Sequence, residues 1–152
     1  MAKPCNVALI GSGFMGRTHS HAYLKVAKFF DVPREPVMHS IVSLAPGIGA
    51  FAKQWGWQNH STDAHAAIQN DEIALVALVP PHRLHADPAL AALAAGKHVA
   101  CEKPLADSLD DARAMAQAAK KAKKSKTFTW FVYRRVPAVS LAHQMVKEGK
   151  LG

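Results

Sequence analysis

Apolar and polar positions alternate along this chain in two different rhythms. Short apolar runs recur at Val7–Ile10, at Ile73–Val79 and, after a leading histidine, at His98–Cys101, and a more mixed run extends from about Val37 to Leu44. Runs of this length without polar interruption predict strands covered on both faces. Shorter strands are expected at Trp57–His60 and Thr127–Val132. Between the runs the spacing turns helical, from about Phe14 to Phe30, Ala50 to Trp55, Asp63 to Gln69, His82 or Leu84 to Ala95, Leu109 to Lys123 and Ala138 to Lys147. The first helix should turn Ala22, Val26, Phe29 and Phe30 inward. Ser61 or Thr62 is expected to cap the third helix and Ser108 the fifth, with Gly56, Gly96 and Gly149 as stops. Two prolines make Asp31–Pro36 a loop.

Strands and helices thus alternate about six times. That order predicts an α/β fold, a doubly wound parallel sheet of about six strands with helices on both faces, in one domain spanning residues 1–152. Right-handed crossovers bring the C-terminal ends of all strands to one edge, where ligands bind. The loops on that edge carry Gly11–Gly16, Ser43–Gly47, Pro80–His85, Glu102–Leu105 and Tyr133–Arg135.

The first of these loops has a recognisable chemistry. Gly11-Ser12-Gly13-Phe14-Met15-Gly16 follows a strand and opens a helix, as a dinucleotide-binding turn must. Its first glycine allows the tight turn, the second lets backbone approach a diphosphate, and the third lets helix and strand pack closely. The amides of the new helix face the phosphates. At the end of the second strand, an NAD site usually carries Asp or Glu for the ribose hydroxyls. Here no acid stands between Glu35 and Asp63, and Ser43 is the nearest candidate. A missing carboxylate removes repulsion against a 2′-phosphate, but no arginine adjoins Ser43. The cofactor is therefore NAD or NADP.

Composition adds limits. The chain has 152 residues, 49% hydrophobic and 20% charged, as in a soluble globular domain. No apolar stretch is long enough to span a membrane. The first strand begins almost at once, leaving no room for a signal peptide, and two cysteines make no disulfide framework. A cytoplasmic protein is expected. Part of the net charge of +8 lies in Lys120–Lys126, at a helix end where cations oppose the helix dipole. No aromatic residues interleave with those lysines, so no nucleic acid partner is expected. His19 and His21 point to different sides of a helix and form no metal pair. His82 and His85 supply only two ligands, where a catalytic zinc takes three protein groups, so no metal is expected.

Three stretches together carry a family resemblance: the glycine turn, Ala91–Leu105 with its Gly-Lys-His-Val and Glu-Lys-Pro runs, and Tyr133-Arg134-Arg135. The chain resembles the N-terminal, nucleotide-binding half of the glucose–fructose oxidoreductase / inositol dehydrogenase / rhizopine catabolism (Gfo/Idh/MocA) family. The resemblance implies hydride transfer between a nicotinamide cofactor and a small-molecule substrate of the sugar or cyclitol class. It implies Lys103 as the catalytic residue that assists proton transfer at a substrate hydroxyl. It also implies Glu102 beside the nicotinamide ribose, Pro81 and His85 bordering the nicotinamide end, and Arg134 near nicotinamide or substrate. A cis peptide bond is expected before Pro104, aiming Lys103 into the cleft. Pro80-Pro81-His82 replaces the family's common Thr-Pro-Asn, which removes one polar contact.

The family's second domain supplies most substrate contacts, a further catalytic histidine and the usual oligomer interface. It has no counterpart in residues 1–152, and His143 does not match that histidine's motif. A shortened, split or stand-alone form is expected, with weak or no turnover by itself. An alternative reading is a nucleotide-binding or regulatory module that keeps the fold without turnover.

Overall fold

In the computed structural model, which describes residues 3–151, the chain forms six parallel strands with helices between them. The strands are β1 Lys3–Ile10, β2 Arg34–Val42, β3 Asn59–Ser61, β4 Leu75–Leu78, β5 His98–Cys101 and β6 Thr127–Thr129. The helices are α1 Phe14–Phe29, α2 Ile48–Trp55, α3 Ala64–Gln69, α4 Ala86–Ala94, α5 Leu109–Lys121 and α6 Pro137–Lys147. Single 3-10 turns occupy His82–Leu84 and Val132–Arg135. The strand order is β3-β2-β1-β4-β5-β6. This is the doubly wound order whose direction reverses between β1 and β4, opening a crevice beyond their C-terminal ends.

The core lies on both sides of the sheet because Val7–Ile10 of β1 and Leu75–Leu78 of β4 are apolar at every position. One layer packs Ala8, Ile10, Val76, Leu78 and Val99 against Ile68, Ala92 and Met115 of the helices. The other packs Val7, Leu9, Ile41 and Ala77 against Ala52, Trp57 and Tyr23. Each fully buried large aliphatic side chain here contributes about 1.5–3 kcal/mol.

Four local expectations are corrected. The Asp31–Pro36 loop ends early, since β2 already begins at Arg34 and Pro36 pairs with Cys5 of β1. Pro36 is tolerated because β3 pairs with β2 only from Ser40 onward, so its missing N–H faces an open edge. Helix α1 buries Gly16 and Ser20 rather than the larger apolar residues; Ala22, Phe29 and Phe30 are exposed. Small residues let α1 lie close on the sheet, and Ser20 Oγ donates to Gly16 O while accepting Trp57 Nε1–H. The α3 cap is Asp63, whose side chain accepts from Ala66 N–H. Strand β6 stops at Thr129 because the chain then turns into the Val132–Arg135 coil.

Candidate functional site

Strand β1 delivers Gly11 to the C-terminal edge of the sheet. Its N–H donates to Val42 O at 2.8 Å, which pins the turn to the end of β2. At φ +113°, a Cβ on Gly11 would stand 2.8 Å from the backbone of Val79 and Pro80. A Cβ on Gly16 would strike the carbonyl oxygen of Gly11. These two glycines are therefore demanded by the protein's own packing. Gly13 differs, because a Cβ there would meet nothing within 4 Å. Its open side is space that the fold leaves for something else.

That space belongs to a cleft of about 660 Å³, lined by Gly11, Ser12, Gly13, Arg17, Ser43, Leu44, Pro80, Pro81 and Arg83 among others. Its size and largely apolar walls suit a cofactor. The first turn of α1 carries no side-chain cap and no acidic residue, so its amide protons face the cleft without an internal partner. Arg17 and Arg83 add positive charge, while the carboxylate in the wall, Asp87, is paired with His65 at 2.9 Å. Uncapped amides, two guanidinium groups and an unfilled space beside Gly13 fit a bound diphosphate. Phe14 is exposed and Met15 packs against the inner core layer, so within the motif the backbone, not these side chains, meets the cleft.

At the β2 end, Ser43 takes the place of the missing acid. Its Oγ accepts from Ser12 Oγ at 2.8 Å and from Ala45 N–H at 3.1 Å. With both lone pairs used, the Ser43 hydroxyl proton remains to be donated outward. A donor there does not repel a phosphate as a carboxylate would. Leu44 beside it is 83% exposed in the cleft mouth.

The loop after β5 leaves the same edge of the sheet, outside the lining of this cleft. Glu102 is buried, and its Oε2 accepts Lys103 N–H at 3.0 Å. Its Oε1 lies 3.0 Å from His19 Nε2, whose ring rests on Trp130 at 4.2 Å between centroids. Lys103 is exposed, in no ion pair among the described residues, and the bond to Pro104 is cis, as the resemblance implied. His85 is corrected. Its ring is 1% exposed, with Nε2 at 3.0 Å from Pro80 O and Nδ1 at 3.0 Å from Pro104 O and 3.3 Å from Leu105 O. Carbonyls surround the ring, so it ties the loops after β4 and β5 together and has no polar atom left for a cofactor. Arg134 is exposed in the turn after β6 and does not line the cleft. His82 pairs with Asp107 at 2.9 Å, and no group of three or more potential metal ligands occurs among the described residues.

Burial shapes the nearby thiols. Desolvation, and secondarily the charge of Glu102, pushes the Cys101 thiol up to about 12, and burial raises Cys5 and Tyr23 as well. Cys101 is thus a packing residue rather than a nucleophile. The sequence had offered no role for His19, Trp130, Arg17 or Arg83. The only local clue was that His19 and Arg17 share the helix that follows the glycine turn.

Fold order, glycine turn and cleft define a dinucleotide-binding α/β domain. Residues 5–129 match the family described as "Oxidoreductase family, NAD-binding Rossmann fold". The chain belongs to this Gfo/Idh/MocA family. It is 42% identical to levoglucosan dehydrogenase of Pseudarthrobacter phenanthrenivorans over 149 residues, 97% of this chain and 38% of that one. It is 28% identical to inositol 2-dehydrogenase of an Arthrobacter species, over 100% of this chain and 44% of that relative. A solved levoglucosan dehydrogenase in complex with NADH and levoglucosan superposes with a TM-score of 0.92 at 39% identity, covering 99% of this chain and 41% of that one. The chain spans about two fifths of the length of these relatives. No helix among the described residues is long and apolar enough to cross a membrane.

Proposed function

We propose that residues 1–152 are the NAD-binding unit of a dehydrogenase that oxidises a secondary hydroxyl of a sugar or cyclitol, or reduces the matching carbonyl. The carrying observation is the open space at Gly13, set between uncapped amides of α1 and the Ser43 hydroxyl. The diphosphate would lie on the Gly11–Gly16 backbone, the adenosine ribose against Ser43 and the nicotinamide near Pro81 and the Glu102–Lys103 turn. The bound nicotinamide supplies a hydride acceptor. Lys103 Nζ takes the hydroxyl proton as the carbon–oxygen double bond forms, and returns it in the reverse direction. Glu102 fixes the turn that presents Lys103. Arg134 acts near the substrate only once a substrate-holding part of the enzyme stands over the β6 end. In this reading that part is a second domain, the substrate class follows from the relatives' names, and the location is cytoplasmic.

The test is a panel of sugars and cyclitols with NAD, monitored by NADH absorbance, using the polypeptide in which this segment works. Oxidation of members of that panel, abolished when Lys103 is replaced, is the expected result. Cofactor binding without oxidation or reduction of any such substrate would favour a regulatory module instead.

A further inference from the structure

His19 lies on α1 three residues beyond Gly16, outside the cleft wall. Its side chain is 11% exposed and that of Glu102 is 6% exposed. A carboxylate only accepts hydrogen bonds, so Nε2 carries the ring proton and donates it to Glu102 Oε1 across 3.0 Å. The same ring meets Trp130 at a centroid distance of 4.2 Å and Tyr23 at 6.4 Å. Packed this way, the imidazole has little freedom to turn. Glu102 uses its second oxygen to accept the backbone N–H of Lys103. One carboxylate therefore joins the helix behind the glycine turn to the residue assigned to proton transfer.

A buried carboxylate needs such partners. Deprived of one, it swings toward water, because an unpaired buried charge is costly. That movement loosens its grip on Lys103 N–H. We infer that His19 is a positioning residue: it holds the Glu102 carboxylate, and through it the Glu102–Lys103 turn, in register with the cofactor-binding helix. Trp130 steers the ring but cannot replace it, since an indole face offers no donor to the carboxylate. The consequence for turnover rests on the role proposed for Lys103; the consequence for the turn does not.

The experiment separates donor from packing. His19→Phe keeps a flat ring on Trp130 and removes the donor. His19→Gln keeps a donor and loses the ring. Glu102→Gln weakens the acceptor within the same shape. In the 152-residue chain, hydrogen exchange of the Lys103 amide is read by NMR beside an NADH titration. In the polypeptide that turns over, kcat and KM are measured for each variant. The expected result is Lys103 exchange about tenfold faster in His19→Phe and in Glu102→Gln, the size of one charge-assisted hydrogen bond. His19→Gln stays near wild type, kcat falls in His19→Phe and recovers in His19→Gln, and KM is steady. Should His19→Phe not fold, His19→Gln and Glu102→Gln decide by the same contrast. Wild-type exchange in Glu102→Gln, or a His19→Phe that behaves as wild type while His19→Gln fails, overturns the inference. Failure of every form to bind NADH, with the exchange pattern as expected, would strike the proposed function and leave the positioning role standing.

Discussion

The turn after β1 and the loop after β5 reach the same edge of the sheet, yet they present their chemistry differently. The first works through backbone: uncapped amides, and a glycine whose missing side chain leaves room. Its geometry is set by close backbone contacts, Gly16 against Gly11 within the turn and Gly11 against Val79 and Pro80 at the end of β4. The second works through side chains held from afar. Glu102 depends on His19, 83 positions earlier, and the carbonyls of Pro104 and Leu105 depend on His85. A diphosphate is always a dianionic group of fixed size, so a rigid backbone cradle suffices. Proton transfer needs one atom aimed correctly, and aim requires supports on several elements.

Substitutions at the two ends should therefore fail in different ways. Lys103→Ala gives the largest effect, a loss of roughly 10²- to 10⁴-fold in kcat with NADH affinity unchanged, measured by steady-state turnover and titration side by side. Gly11→Ala comes next. The added methyl meets fixed backbone at a positive φ, so stability falls by about 3 kcal/mol and the thermal midpoint by about 10 °C. Gly13→Val, at an ordinary φ with open space around it, leaves the midpoint in place but weakens NADH binding at least tenfold, about 1.4 kcal/mol. Equal damage to folding in both glycine variants would erase the distinction between packing glycine and ligand glycine.

A smaller effect concerns cofactor choice. Wild type should bind NADH and NADPH within about tenfold of one another, because Ser43 offers a donor in place of a carboxylate. Ser43→Asp still accepts from Ser12 and Ala45 and should turn NADPH away by about tenfold, read by competitive titration.

The smallest effect is on alkaline stability. Burial holds the Cys101 thiol near 12 in the folded chain against 9.0 when exposed, and Tyr23 shifts in the same direction. The unfolded chain therefore loses these protons first, and stability should fall as pH rises above about 9. Cys101→Ser, which does not ionise there, should make that fall shallower in thermal melts taken across this range. An unchanged slope would remove Cys101 from the account.

The contrast also explains what the amino-acid order revealed. The continuous apolar strands and the glycine turn are local signals, and the parallel sheet, its ligand-binding edge and the place of Ser43 on that edge followed from them. Pro36 misled because its tolerance depends on where β3 begins to pair. The inner face of α1 misled because Phe29 and Phe30 look like core residues, while the sheet accepts only Gly16 and Ser20 at that closeness. The resemblance implies His85 beside the nicotinamide, but it carries no information on the ring's direction, which is inward to the carbonyls of Pro80, Pro104 and Leu105. The His19–Glu102 contact joins residues whose proximity exists only once six strands are assembled. Long-range side-chain supports leave no periodic trace to read.

The account's central claim is that Gly13 and its surroundings hold the diphosphate of a nicotinamide dinucleotide. NADH titrated into the 152-residue chain, with nicotinamide emission followed, tests it most directly. One saturable site with enhanced emission, reversed by ADP-ribose, is the result predicted. Emission that never saturates, or a signal that ADP-ribose does not displace, would contradict it.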